Sequence, residues 1–215
     1  FSSSATVYDP SKASSLDENS KLNPINPYGN TKFVIEKFLE DIYKSSINEW
    51  KIINLRYFNP IGADPEGIIG ESPVSERSNI FPIIMDVASK KLNKFTIFGN
   101  DWETIDGTCV RDYIHIDDLA EGHLRALEYI HNNPPIFINL NIGTGKGTSV
   151  LELIETFKKT NQVDIPYIFG ERREGDFGWV VADNTLAKNL LKWSPEKNLV
   201  DMCKDGWNWF KTINE

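Results

Sequence analysis

P-Y-G-N-T-K-F-V-I-E-K-F-L-E-D-I-Y-K-S at 27–45, followed after a short connection by K-I-I-N-L-R-Y-F at 51–58, reads as a helix and then a strand. In the first segment Phe33, Val34, Phe38, Leu39, Ile42 and Tyr43 recur at helical spacing on one face, and Pro27 suits a first-turn position. The second is a short β-branched and aromatic run, the pattern of a buried strand. Outward from this unit the alternation continues. Residues 1–8 read as the hydroxyl-rich end of a strand, 9–26 and 59–78 as loops, 80–92 as a helix, 95–98 as extended and 101–112 as loop. A short strand at 114–116 leads to Asp117, expected to cap a helix running to about 131. A strand at 136–142, a capping box of Ser149 and Glu152 on a further helix, an extended 165–169 and two helices over 184–213 broken at Ser194-Pro195 complete the reading. Strands alternating with helices of this length predict βα units, a largely parallel sheet and an α/β fold with ligands beyond the carboxyl ends of its strands. A start inside a strand predicts that earlier βα units of the sheet lie outside the 215 residues.

Composition narrows the function classes. An apolar fraction of 40% and a charged fraction of 25% are those of an ordinary soluble globular protein. No apolar run approaches the roughly 18 to 20 residues that a membrane-spanning helix needs. A net charge of −8 argues against nucleic-acid binding, so an anionic ligand must be held by a few local Arg or Lys residues. Two cysteines, Cys109 and Cys203, make neither a disulfide framework nor a zinc site, which points to a reducing, cytoplasmic setting. His115, His123 and His131 recur every eight residues, a spacing that gathers no metal site. Trp193, Trp207, Trp209 and Phe210 read as packing residues of the terminal helices.

Tyr28 and Lys32 lie one turn apart near the start of the first helix, so both fall on one face. A phenol is a poor base with its ordinary pKa of about 10, and a neighbouring ammonium favours the phenolate that can accept a proton from a hydroxyl. On spacing alone the pair is unspecific, since seven tyrosines make one Tyr-x-x-x-Lys close to an even chance. Ser2-Ser3-Ser4-Ala5-Thr6 adds hydroxyls at a strand end, where either loop chemistry or a bond to substrate would account for them. G-T-G-K-G at 143–147 matches neither a dinucleotide fingerprint nor a P-loop and reads as a tight strand-to-helix turn.

F-S-S-S-A-T-V-Y (1–8), N-P-Y-G-N-T-K (26–32), L-R-Y-F-N-P-I-G-A (55–63), I-F-G-N-D (97–101), D-G-T (106–108), V-R-D-Y-I-H (110–115), D-L-A-E-G-H (118–123) and R-R-E-G-D (172–176) follow one another along nearly the whole chain. In this order and spacing they resemble the extended short-chain dehydrogenase/reductase family, and within it the branch that epimerises UDP-hexoses at C4. The resemblance implies the carboxyl-terminal part of a Rossmann-type parallel sheet plus a smaller α/β substrate-binding domain. Residues 1–60 would end the NAD-binding domain, and 61–215 would form mainly the UDP-sugar domain, with about 105–135 returning to the first. The Gly-rich turn that cradles the NAD pyrophosphate in that family is not among these residues, so the isolated chain is expected to be inactive.

The resemblance further implies Tyr28 as the base on the sugar O4, Lys32 as its polarising partner on the nicotinamide ribose, and Ser4 as a hydroxyl bridging O4 and the tyrosine. Ser4, Tyr28, Lys32 and Phe58, with Tyr57, would contact NAD. Asn59, Asn79 and Ile80 would contact the UDP-sugar, with Phe98 as the wall against uracil. Arg111 and Arg173 would hold the diphosphate, Asp176 the uridine ribose, and Val180 would face the sugar. Arg172 is expected to be structural. A homodimer and galactose metabolism are implied as well. Two departures stand out: Asp9-Pro10 replaces a usual Gly, and Ser78 replaces the first Asn of a pair ending at Asn79. The competing readings are a 4,6-dehydratase or decarboxylase on the same Ser, Tyr and Lys, and a non-catalytic nucleotide-sugar-binding domain. Dehydration needs a carboxylate where this chain has Ser4-Ala5-Thr6.

Overall fold

The segment at 27–45 folds as helix α1 (Pro27–Ser45), and the strand after it is β2 (Lys51–Tyr57). Pro27 occupies the first turn, and Asn26 caps the helix by accepting the Gly29 N–H at 2.7 Å. The computed structural model describes residues 1–9, 15–72 and 79–214, so Pro10 and Ser78 lie outside the described residues. Before α1 come β1 (Ser2–Ser4) and a single 3-10 turn, Ala5–Val7. After β2 follow β3 (Asn59–Ile61), α2 (Ile80–Ala88), β4 (Phe95–Phe98), β5 (Val110–His115), α3 (Ile116–Asn132) and β6 (Ile136–Ile142). The chain then forms β7 (Gly147–Ser149), α4 (Val150–Asn161), β8 (Tyr167–Gly170), β9 (Trp179–Val180), α5 (Thr185–Leu191) and α6 (Leu199–Thr212).

The expected α/β architecture is present. β1, β2 and β6 form a three-stranded parallel sheet in which Ser4 pairs with Tyr57 and Tyr57 with Ile142. Leu55 packs in a cluster with Leu119 of α3, whereas its neighbour Arg56 bonds Glu36 of α1. Successive strand residues face opposite ways, so α1 and α3 cover opposite faces of the sheet. A second sheet joins β3 and β9 in parallel and β7 antiparallel with β5, and β4 pairs with β8 in parallel. One apolar cluster gathers Ile53, Leu55, Ile114, Leu119, Leu140, Ile142, Leu191 and Trp193, and the larger one gathers Ile84, Ile97, Tyr113, Leu153, Phe157 and Phe210. Residues 136–142 and 185–193 thus pack with the first cluster.

Several local readings need correction. The first strand stops at Ser4, because the Ser4 hydroxyl accepts the Thr6 N–H and turns the chain into the 3-10 turn. β5 begins at Val110 rather than 114, since the polar Arg111 and Asp112 that suggest a loop find partners inside the fold. α3 is capped by His115, whose Nδ1 accepts the Asp117 N–H at 3.0 Å, and Asp117 sits in the first turn. Asp118 instead accepts the N–H groups of Glu196 and Lys197 and ties α3 to the segment before α6. Ser149 caps α4 through the Glu152 N–H and also bonds Asp106, while the reciprocal capping box is found at Asn198 and Asp201 of α6. α2 ends at Ala88, short of 92.

Candidate active site

The carboxyl ends of β1 and β2 lie side by side, and α1 starts beside them. Gly29 makes this approach possible: a Cβ there would stand 2.5 Å from the Thr6 carbonyl oxygen. The first turn of α1 therefore lies directly on the 3-10 turn that follows Ser4. Tyr28, 56% exposed, is presented at the surface, and the Lys32 ammonium sits 5.5 Å from its ring centroid. Lys32 donates one hydrogen bond to the Ser2 carbonyl at 2.8 Å. The Ser4 hydroxyl, buried, takes the Thr6 N–H at 3.2 Å and lies 3.0 Å from the Thr6 hydroxyl. The phenol, ammonium and hydroxyl singled out in the sequence thus converge on one strand-end corner.

Phe58 differs from its expected placement toward a cofactor in one respect. Its side chain is buried among Ala5, Val7, Tyr8, Leu16 and Ala182, so the ring belongs to the core beneath that corner. Tyr57 stands at the corner itself, its hydroxyl oxygen 2.6 Å from Ser2 Oγ and 2.5 Å from His123 Nε2. Burial, with Tyr28 nearby, holds the Tyr57 phenol above its ordinary value against the opposing Ser2 bond.

Beyond β3 opens a cavity of about 440 Å³, lined by Asn59, Asn79, Ile80, Phe98, Arg111, Arg173 and Asp176. Seven of the eight residues expected to contact substrate therefore share one space. Val180 is the exception: it pairs with Arg111 in the sheet and packs against the cluster around Phe58. Arg111 is fixed by the carbonyls of Phe177 at 2.7 Å and Val110 at 3.0 Å, and meets Asp176 at 3.4 Å. Arg173 bonds the other Asp176 oxygen at 2.9 Å and lies over the Phe98 ring, 4.6 Å from its centroid. Two guanidiniums on one carboxylate leave a net positive cavity wall. α2 begins here with Asn79 at its N-cap position, yet the Asn79 amide donates to Glu71 and makes no side-chain cap bond. Uncapped first-turn N–H groups favour an anion.

Lys94, Thr96, Cys109, Ile83 and Leu92 also line the cavity and were not anticipated. Thr96 lies on β4 and Ile83 on α2, whereas Leu92, Lys94 and Cys109 sit in the connections that flank β4 and lead into β5, and only the fold brings them together. Burial pushes the Cys109 thiol up, against the opposing effect of Arg111. Arg172 has the structural role expected of it, bonding Asp101 at 2.7 Å and stacking 3.9 Å from the Trp102 centroid.

The turn at 143–147 offers no phosphate cradle. The N–H groups of Thr144 and Gly145 and the Thr144 hydroxyl go to the buried Asp112 carboxylate at 2.7, 2.9 and 2.6 Å. The Tyr28–Lys32 corner fits the nicotinamide-ribose end of a dinucleotide, because an ammonium has three donors and Ser2 takes one. Among the described residues no cluster suits a metal ion, and no helix is long and apolar enough to cross a membrane.

The chain is 46% identical over 209 residues to the UDP-glucose 4-epimerase of Bacillus subtilis, an alignment covering 97% of this chain and 61% of that protein. It is also 46% identical over 212 residues to the UDP-glucose 4-epimerase of Pasteurella multocida, covering 98% and 62%. The chain thus spans about three fifths of the length of these curated relatives. A crystal structure of UDP-glucose 4-epimerase from Stenotrophomonas maltophila, with bound NAD and formylated UDP-arabinopyranose, matches with a TM-score of 0.96 at 42% identity, covering 100% of this chain and 63% of that one. The enzyme from Bifidobacterium longum in complex with NAD+ and UDP matches at 0.93 and 39%, with 100% and 63% covered. Residues 1–143 match the NAD dependent epimerase/dehydratase family, and the chain belongs to that family.

Proposed function

We propose that this chain is the greater part of an enzyme that epimerises a UDP-hexose at C4, interconverting UDP-galactose and UDP-glucose. The observation that carries the reading is the nearness of two sites along β2 and β3: Tyr57 stands at the first, and Asn59 lines the second. Tyr28, Lys32 and Ser4 meet at β1 and α1, and Arg111, Arg173 and Asp176 meet in the cavity beyond β3.

In this reading the two guanidiniums grip the diphosphate, which suits their planar donor geometry. Asp176 holds the uridine ribose, Phe98 walls the base, and Asn59, Asn79 and Ile80 meet the nucleotide sugar. The hexose then reaches toward Tyr28. Tyr28 accepts the O4 proton and later returns it, Ser4 hydrogen-bonds the same oxygen, and Lys32 favours the phenolate and grips a ribose. NAD, when bound, supplies the acceptor and then the donor of the C4 hydride. The 215 residues alone hold NAD weakly in this account, because the Thr144 and Gly145 amides serve Asp112 and no other Gly-rich fingerprint is present. UDP-glucose and UDP-galactose are preferred, with some tolerance of N-acetylated sugars, in keeping with the intermediate size of Val180, which is paired with Arg111 beside the cavity. Two lobes, one around β1, β2 and β6 and one around the cavity, correspond to cofactor and substrate domains.

A place in cytoplasmic galactose metabolism follows from the same reading. So does a homodimer, for which the exposed Val34 and Phe38 on α1 offer an apolar face. The test is conversion of UDP-galactose by these residues in a chain that also supplies the Gly-rich turn. Production of UDP-glucose supports the proposal. A 4-keto-6-deoxy product, or a uronic substrate used equally well, overturns it.

A further inference from the structure

His123 lies on α3, outside the candidate catalytic triad, and its two ring nitrogens have different partners. Nδ1 lies 2.9 Å from the Leu119 carbonyl oxygen, which can only accept, so Nδ1 carries the proton. In the neutral ring Nε2 is then a lone pair, and the group 2.5 Å from it, the Tyr57 hydroxyl, must donate. The single proton of Tyr57 is thereby committed. The Ser2 hydroxyl oxygen 2.6 Å away therefore has to supply the proton of the Ser2–Tyr57 bond, and the Ser2 carbonyl takes the Lys32 ammonium at 2.8 Å. The two rings also meet edge to face, 5.3 Å between centroids. A continuous chain thus runs from α3 through the ends of β2 and β1 to α1.

We propose that His123 is a positioning residue. By taking the Tyr57 proton it locks the Tyr57 ring at the strand-end corner and, through Ser2, fixes the seat of Lys32. The arrangement also separates two neighbouring tyrosines by role. Tyr57 has given its proton to a fixed acceptor and serves as a wall, whereas among the described residues no such acceptor engages the exposed Tyr28. This inference rests on the epimerase reading for its kinetic consequence and on local geometry for its spectroscopic one.

The two are tested separately. In the 215-residue chain with 15N-labelled histidine, NMR should find His123 as the Nδ1–H tautomer, with an Nε2 shift that moves when Tyr57→Phe is introduced. A protonated Nε2 at neutral pH, or one unmoved by Tyr57→Phe, overturns the inference. In the NAD-loaded chain that supplies the Gly-rich turn, His123→Leu and Tyr57→Phe should each lower kcat about tenfold, with KM for UDP-galactose within about twofold. Because His123 acts through Tyr57, the double variant should be no slower than either single one. His123→Gln, which keeps an acceptor, should recover most of the rate. Additive losses, or a His123→Leu effect confined to KM, overturn it. Absence of any turnover before substitution would refute the epimerase reading alone and leave the Nε2 signature to decide this one.

Discussion

Arg56 closes on Glu36 through two contacts, Nε to Oε1 at 2.9 Å and Nη2 to Oε2 at 2.6 Å, with the Arg56 side chain only 1% exposed. Ser3 Oγ reaches the same carboxylate at 2.5 Å, and Arg56 Nη1 continues to the Tyr8 hydroxyl at 2.9 Å. The pair therefore joins α1 to β1 and β2 directly beneath the corner that presents Ser4, Tyr28 and Lys32. Burial raises the Tyr8 phenol despite the guanidinium beside it, so Tyr8 stays a neutral link from Arg56 to Asn141 at 2.7 Å.

Removing one partner of this pair should cost far more than removing both. Arg56→Met leaves a buried carboxylate unpaired and should lower stability by about 3–5 kcal/mol. Glu36→Leu combined with Arg56→Met should recover much of that loss. Urea unfolding of the two variants checks it, and equal losses would count against the pairing.

The loop at 143–145 depends on Asp112. Its carboxylate accepts from the N–H groups of Thr144, Gly145 and Ala182, so Asp112→Asn replaces an acceptor by a donor against at least one of them. A loss of about 1–3 kcal/mol is expected in the same unfolding measurement. No loss would mean that the loop is held elsewhere.

How much of this was legible beforehand follows physical lines. α1, β4 and β6 matched the periodic reading because their patterns are long or bounded by turn residues. Apolar periodicity points Val34 and Phe38 of α1 inward, but Gly29 and Glu36 are its buried residues and Val34 and Phe38 are exposed. Apolar periodicity carries no sign of a buried ion pair, and Arg56 on the strand beneath decides which face turns in. β5 was hidden for the same reason, its Asp112 being satisfied by amides distant in sequence. The lining of the cavity beyond β3 was legible through resemblance in Asn59, Phe98, Arg111, Arg173 and Asp176. Thr96 and Cys109 carry no local signal, and His123 shows its partner only once α3 lies across β2.

Acid should weaken the link between the 101–109 loop and α4. Burial raises the Asp106 carboxyl, but bonds from Ser149 and Thr108 outweigh it and hold it below its ordinary value. A lowered native value means stability that is present above the unfolded pKa of about 3.9 and is lost as pH falls through the native one. Asp106→Asn should therefore destabilise at pH 7 and destabilise less at about pH 3, below the unfolded value. Thermal unfolding at both values checks this, and an equal loss at both contradicts it.

Neither thiol should react readily in the native chain. Burial pushes Cys203 up to about 12 and also raises Cys109. A disulfide reagent at pH 8 should modify both at the rate of opening rather than at the rate of a free thiol. Cys109 lines the cavity, so UDP should slow its reaction further and leave Cys203 unchanged. Prompt labelling of Cys203 would show that α6 is loosely packed.

The proposed division of labour gives proton transfer to Tyr28 and nucleotide binding to a separate set of residues. It is tested most directly by Tyr28→Phe in the NAD-loaded chain that supplies the Gly-rich turn, with UDP-galactose turnover and UDP affinity measured on the same sample. Loss of the base should lower turnover by about 10²-fold or more while the UDP dissociation constant stays within a few-fold. Turnover near the unsubstituted rate, or a loss of UDP affinity that matches the loss of rate, would contradict the assignment.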